Sequence, residues 1–457
     1  MVLKSHSRLV RYVLAVLVVF CLYSVAFYSL TYYANSQGMS ATAFTGSVDN
    51  ADSGEYLILG HTLLETGHYT GTFRTPGYPF FIAILVGIFG SDMAVQFAQL
   101  FLVGFSAVFI YLLGRRFGYP RIGLAAAALY VLDPLVFLYS VMSMAETLFT
   151  TIFLGATVLL TTEKASKWHM FAGGLLMGAA TLVRPMGLYF VPVLMLWLVL
   201  THWKQWRTVL YTASLVLLGV ALIVVPWMVR NQVQNGSFAL STIGPYDLLL
   251  YNIPTFLQQW EGIAADETRA EMYTILGLTG REEDDAWLMS YDATGEIRTL
   301  AYRYIFASPV QYGLYHISST ASFFFGSDIG AVESLLHRYG LISAPPESVN
   351  NSYLLLRGQW REFLRSMLSE LPQLIERLAW LTLLMSAIVL VAYMASTRSR
   401  GALLALLFLA LIVINAILIG PVSEPRFRLN VAPFIFILGF TGIHLAFTYL
   451  KKKIWSR

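Results

Sequence analysis

Phe80-Phe81-Ile82-Ala83-Ile84-Leu85-Val86-Gly87-Ile88-Phe89-Gly90 is the stretch on which the topology of this chain turns. It is apolar enough to enter a bilayer, but it falls well short of the ~20 residues a helix needs to cross one. Whether it crosses fixes the side of the membrane on which every later loop lies. If it crossed fully, Arg115 and Arg116 would land on the face opposite to all the other basic loops. A re-entrant or interfacial helix over residues 76–90 is therefore expected.

Around that stretch the composition is that of a membrane protein. The chain has 457 residues, of which 57% are hydrophobic and 12% charged, where a soluble domain carries about 25% charged. Long charge-free runs point to helices rather than alternating barrel strands. Ten apolar runs lie at 10–33, 93–114, 122–142, 147–162, 169–184, 186–203, 208–229, 377–396, 401–421 and 429–450. A cleaved signal peptide is the rival for the first, since Ser40-Ala41-Thr42-Ala43 has a small-residue cleavage character. Its apolar core exceeds the ~7–15 residues of a signal, which favours an uncleaved anchor. The single cysteine, Cys21, excludes an intrachain disulfide and a cysteine-based metal cluster. The expected fold is an all-α polytopic membrane protein of about ten transmembrane helices. Its parts are a transmembrane catalytic module at 1–230, a small, mostly helical outer domain at 231–372, and C-terminal transmembrane helices at 373–457.

Basic residues set the orientation. Alternate connections carry Lys4/Arg8/Arg11, Arg115/Arg116/Arg121, Lys164/Lys167, Lys204/Arg207, Arg398/Arg400 and Lys451/Lys452/Lys453. The positive-inside rule places all six, and both termini, in the cytoplasm. Every lysine falls on that side, and nearly all carboxylates on the other. The protein is thus expected in the plasma (inner) membrane, with its outer loops in the periplasmic or extracellular space. The large outer loop holds sixteen Asp and Glu against eight Arg. It reads as helical at Asp266–Leu276 and Glu296–Phe306 and as turn-rich at Gly340–Asn351.

The outer loops also hold the candidate chemistry. Loop one carries Asp49-Asn50-Ala51-Asp52-Ser53-Gly54-Glu55-Tyr56, then Arg74-Thr75-Pro76-Gly77-Tyr78-Pro79. Asp52 and Glu55 stand one turn apart if 52–66 is the amphipathic helix suggested by Tyr56, Leu59, Leu63 and Leu64. Asp49 or Asp52 is equally suited to capping that helix. Either offers a carboxylate at the membrane–water boundary, as a general base requires. Glu146 lies at the same face, in a turn too short to lift it from the bundle. Arg74, Arg184, Arg230, Arg426 and Arg428 recur at outer span ends, and guanidinium forks recognise phosphate. Headgroup anchoring or pairing with the nearby acids is the ordinary role of any one of them. Asp133, mid-span beside Pro134, reads as a structural partner of backbone freed by a kink. No metal-ligand spacing, nucleotide loop or basic nucleic-acid patch is present.

These motifs in this order resemble the GT-C membrane glycosyltransferases, in particular the dolichyl-phosphate-mannose–protein mannosyltransferase and lipid A aminoarabinose transferase group. The resemblance rests on Asp52–Tyr56, Arg74–Pro79, Ser143–Glu146, Leu182–Pro185, Pro226–Asn231 and Arg426–Leu429, and is loose over 232–372. It implies an essential acid in the first outer loop, at Asp52 or, because relatives carry adjacent acids there, at Asp49. It implies a second acid at Glu146, with Glu55 nearby and Tyr56 and Tyr78 lining the substrate pocket. The implied reaction moves a sugar from a polyprenyl-phosphate donor to a lipid, glycan or protein acceptor with inversion, an Asp acting as base. Arg74, Arg230 or Arg426 would steady the departing phosphate. No cofactor beyond the lipid-linked donor is implied, and no divalent metal. The partners are the donor, the acceptor and membrane lipid, not nucleic acid. A lipid-linked sugar flippase is the competing class, but it calls for polar residues along the bundle interior, and apart from Asp133 these spans are nearly charge-free. A polysaccharide ligase or polymerase would differ by releasing polyprenyl diphosphate.

Overall fold

The computed structural model describes residues 2–36, 51–163, 165–280, 282–338, 354, 358–369, 371–399 and 401–455. All ten apolar runs are helical: Val2–Ser36, Met93–Arg116, the pair Pro120–Leu132 and Pro134–Val141, Ala145–Leu160, Lys167–Val183, Gly187–His202, Trp206–Asn235, Leu371–Ser396, Ala402–Ile419 and Ala432–Trp455. Six are long and apolar enough to cross a membrane, and the pair makes a seventh when its 56° bend is counted within one span. The other three have 16 or 17 residues, or about 25 Å of helix against a hydrocarbon core of ~30 Å. No strand occurs among the described residues.

The bend has a local cause. Pro134 lacks the N–H that would continue the preceding helix. The Asp133 carboxylate instead accepts the Leu135 N–H at 2.8 Å and caps the second segment. The intramembrane acid is structural, as its place beside proline suggested.

Lipid offers apolar helices no hydrophobic drive to associate, so close packing must hold the bundle. Helices Lys167–Val183 and Trp206–Asn235 meet backbone to backbone. A Cβ at Gly174 would collide with the Val216 carbonyl oxygen, and one at Gly219 would stand 2.5 Å from that of Phe171. Aromatic side chains fill the interior, with Phe153 stacked on Phe190 at 4.6 Å and Phe408 against Phe434 at 4.8 Å.

The deciding stretch forms helix Gly77–Phe89, 13 residues long and closed by Gly90 in the left-handed region at φ 68°. At roughly 20 Å it does not span. It lies along helix Ala51–Thr66, whose Tyr56, Leu57, Leu59 and Leu63 are buried. Ile82 packs against Gly60 on that face, and Leu64, one turn later, reaches Gly87 with its Cδ1 while remaining exposed. At its start, Gly77 touches the end of helix Lys167–Val183 so closely that a Cβ would stand 2.6 Å from the Leu182 carbonyl.

The outer region is helical, including Ala265–Ile275 and Thr294–Ala307, close to the two stretches expected. Leu249, Ile253, Phe256, Met272, Leu288, Ile297 and Tyr315 give it an apolar core separate from that of the bundle. The stretch 340–351 lies outside the described residues.

Candidate active site

The polar island opens helix Ala51–Thr66, so Asp52 sits in its first turn and Glu55 one turn later. Both face Arg74, which donates from Nη2 to Asp52 Oδ1 at 2.6 Å and from Nε to Glu55 Oε2 at 2.7 Å. The Arg74 guanidinium lies over the rings of Tyr56 and Phe73, at 5.1 and 4.9 Å from their centroids. The 3₁₀ turn Pro425–Asn430, between the last two spans, brings Arg426 to the same carboxylate. Arg426 Nη1 donates to Asp52 Oδ2 at 3.0 Å. Its Nε lies 2.8 Å from Glu424 Oε2, outside hydrogen-bond alignment.

A second ion pair completes the cluster. Arg184 ends helix Lys167–Val183 and donates to Glu146 Oε1 at 2.7 Å, while Glu146, in the first turn of Ala145–Leu160, is only 3% exposed. The Phe427 ring lies beneath both Arg426, at 4.8 Å, and Arg184, at 5.2 Å. The structure thus brings together Asp52, Glu55, Glu146, Arg74, Arg184 and Arg426, all at helix ends that the charge pattern assigns to the outer face.

Electrostatics make Asp52 an unusual acid. Burial pushes its carboxyl up, but the charges of Arg74 and Arg426 and their hydrogen bonds outweigh that and hold it below the ordinary carboxylate value. With both oxygens occupied, Asp52 is a weak proton acceptor. The arginines keep capacity in reserve. A guanidinium has five N–H donors, and Arg74 Nη1, Arg184 Nη2 and Arg426 Nη2 make no hydrogen bond among the described residues.

Other expected residues stand apart. Arg428 is 1% exposed and donates to the carbonyls of Phe323, Phe324 and Gly326 and to Asp328 Oδ1, with its guanidinium 3.9 Å over Trp380. It is a buried strut and not a phosphate ligand. Arg230 bonds the Tyr69 carbonyl and Asn231 Oδ1 and stacks on Trp227. Among the described residues it meets no carboxylate. Tyr78 does not line a pocket: it is fully buried beneath Tyr56, ring centroids 4.9 Å apart, and donates to Gln99 Oε1 at 2.9 Å. Tyr56 is itself nearly buried, under the Arg74 guanidinium. Asp49 lies outside the described residues.

One residue beside the cluster was not anticipated. The outer domain is stitched across loop one: the Thr242 N–H donates to the Thr72 carbonyl at 3.1 Å, and both threonine hydroxyls donate to the Met289 carbonyl. Tyr246 packs edge-on against Phe73 at 5.0 Å. Asp247 follows, partly buried, within the field of Arg74, Asp52, Arg426 and Arg184; burial pushes its carboxyl up to about 7. One acid among sixteen in this loop, it had no sequence signal to distinguish it. Among the described residues, no three His, Cys, Asp or Glu side chains are placed to hold a metal ion.

Residues 74–229, about a third of the chain, match the family described as dolichyl-phosphate-mannose-protein mannosyltransferase. The whole bundle superposes on the apo oligosaccharyltransferase of Archaeoglobus fulgidus with a TM-score of 0.51 and 13% identity, over 97% of this chain and 52% of that one. The fold is thus shared with that oligosaccharyltransferase. This chain spans about half the length of the oligosaccharyltransferase it matches. ArnT from Cupriavidus metallidurans, bound to undecaprenyl phosphate, aligns at a TM-score of 0.40 and 15% identity over 96% of this chain and 78% of that one. No curated protein matches the sequence. The matched family segment runs from Arg74 through Glu146 and Arg184, so half of the charge cluster lies inside it.

Proposed function

We propose that this protein is an integral-membrane glycosyltransferase that moves a sugar from a polyprenyl-phosphate donor to a lipid, glycan or protein acceptor at the outer face of the plasma (inner) membrane. The observation that carries this reading is the Arg74–Asp52–Arg426 constellation, in which one carboxylate spaces two guanidiniums that each retain an unused donor. Such forks fit the oxygens of a phosphate monoester or diester. The family matched by residues 74–229 takes its name from a dolichyl-phosphate sugar. A donor that lives in the membrane also accounts for a site built at the ends of apolar helices.

In the reaction, the acceptor's oxygen or nitrogen bonds the anomeric carbon from the face opposite the phosphate. The carbon–oxygen bond to phosphate breaks, its electron pair leaves on the phosphate, and the acceptor's proton passes to a carboxylate of the site. A single displacement of this kind inverts the anomeric centre, as in inverting glycosidases. Arg74, Arg426 and Arg184 would take up charge on the leaving phosphate, where fixed donors in a water-poor site act most strongly. The protein would sit with both termini in the cytoplasm, following its lysines.

The decisive experiment mixes purified protein with membranes of a strain lacking the gene, in which native donor and acceptor remain unreacted. Release of polyprenyl phosphate is expected. Release of polyprenyl diphosphate would assign a ligase or polymerase, and no release would refute glycosyl transfer.

A further inference from the structure

We infer that Asp247, a carboxylate supplied by the outer domain, receives the acceptor's proton, and that Asp52 is a positioning residue for the two arginines. The inference rests on the glycosyl-transfer reading. It begins from the unequal standing of the carboxylates. Both Asp52 oxygens are held, one by Arg74 and one by Arg426, so a proton arriving there must displace a charge-assisted hydrogen bond. Glu146 is sealed against Arg184, and Glu55 is bonded to Arg74. Asp247 alone among these acids makes no hydrogen bond or ion pair with the described residues.

The segment that carries Asp247 is nonetheless fixed against the approach to Arg74. The Thr242–Thr72 backbone bond and the Tyr246–Phe73 ring contact lock its segment over the residue preceding Arg74. The groups that act on it are Arg74, Asp52, Arg426 and Arg184, with Tyr246 and Tyr251 beside it. Glu55, Asp285 and Arg269 face those two tyrosines. Immediately after Asp247 the chain forms a π-helical turn, Leu248–Asn252, a rare conformation frequently found at functional sites.

The surroundings drive the two aspartates apart. Asp52 is held below the ordinary carboxylate value, while burial raises Asp247 to about 7. Such divergence separates the carboxylate that stays ionised from the one that exchanges protons. A base that titrates near the working pH is also the most effective. In the step, the proton leaves the acceptor's oxygen or nitrogen for Asp247 as the new glycosidic bond forms and polyprenyl phosphate departs. Asp247 then returns the proton to water.

The test follows polyprenyl phosphate release by full-length protein mixed with membranes of the deletion strain, from about pH 5 to about pH 9. Wild-type release should climb as pH rises through about 7 and then level off. Asp247→Asn should release roughly 10²–10⁴-fold more slowly, lose that acid limb and still bind added polyprenyl phosphate as wild type does. Asp247→Glu should keep part of the rate with a displaced limb, whereas Asp52→Asn should lose polyprenyl phosphate binding. An Asp247→Asn protein that retains the wild-type rate or limb, or that loses polyprenyl phosphate binding, overturns the inference. Wild-type protein that releases nothing overturns the glycosyl-transfer reading instead.

Discussion

Arg184 and Glu146 meet at 2.7 Å with 17% and 3% of their side chains exposed, making theirs the most enclosed ion pair of the outer cluster. Removing the cation strands a carboxylate that water cannot reach. Arg184→Ala should therefore cost about 3–5 kcal/mol, read as a lowered melting temperature in detergent. Glu146→Gln should cost less, because the guanidinium keeps some solvent and the Phe427 ring. The double variant should recover part of the Arg184→Ala loss, since the two side chains are coupled.

Asp52→Asn should abolish sugar transfer while leaving the fold intact. Arg74 keeps Glu55 and Arg426 keeps Glu424 beside it when the shared carboxylate is neutralised. The partial exposure of these groups keeps the stability loss to about 1 kcal/mol. Polyprenyl phosphate release from donor-bearing membranes and a melting curve check the two halves. Near-normal release would defeat the assignment of this cluster.

The pH dependence of the Asp52 clasp has a definite sign. Asp52 binds its proton more weakly in the folded protein than in the unfolded chain, so its stabilisation is complete above the unfolded value of about 3.9. It is lost as pH falls through the lower, folded value. The difference in melting temperature between wild type and Asp52→Asn should stay constant from neutral pH down to about 4 and shrink below that. A difference that shrinks already near pH 6 would contradict it.

Arg428 predicts a long-range effect. It ties the 3₁₀ turn carrying Arg426 to Asp328, three backbone carbonyls and the face of Trp380. Arg428→Ala leaves Asp328 buried without its cation and should cost about 3–5 kcal/mol. Arg428→Lys should rescue little, because an ammonium cannot reproduce the planar fork. Both should weaken binding of polyprenyl phosphate through Arg426. Unchanged binding in a folded Arg428 variant would separate the strut from the site.

Gly77→Ala tests the packing that aims Arg74. The added methyl would meet the Leu182 carbonyl at 2.6 Å, and backbone does not yield as a side chain does. Helix Gly77–Phe89 must then shift, at a cost of about 1–3 kcal/mol. Transfer should fall further than stability alone explains, measured as release at a temperature where the variant remains folded.

Much of this was legible from residues alone. Apolar length placed the ten helices, and charge parity kept 77–89 from being counted as a span. Asp52, Glu55, Glu146, Arg74, Arg184 and Arg426 stood out because charge at a membrane face is conspicuous. Arg428 misled because it lies two residues from Arg426, and in a 3₁₀ turn of three residues per turn those side chains point to different sides. Tyr78 misled because sequence does not tell a ring that faces substrate from one that supports it. Asp247 was hidden by its setting, since only its place within the field of Arg74 and Arg426 distinguishes it from the other acids of the outer loop.

Residues Asp52 and Arg426 are 374 positions apart, which has a consequence in time. At about 5–20 residues per second, the ribosome needs roughly 20–75 s to pass from one to the other. For most of that interval Arg74 is the one partner of the Asp52 carboxylate already made. On the proposed reading, the clasp that would hold the donor phosphate is completed only when the closing turn is delivered.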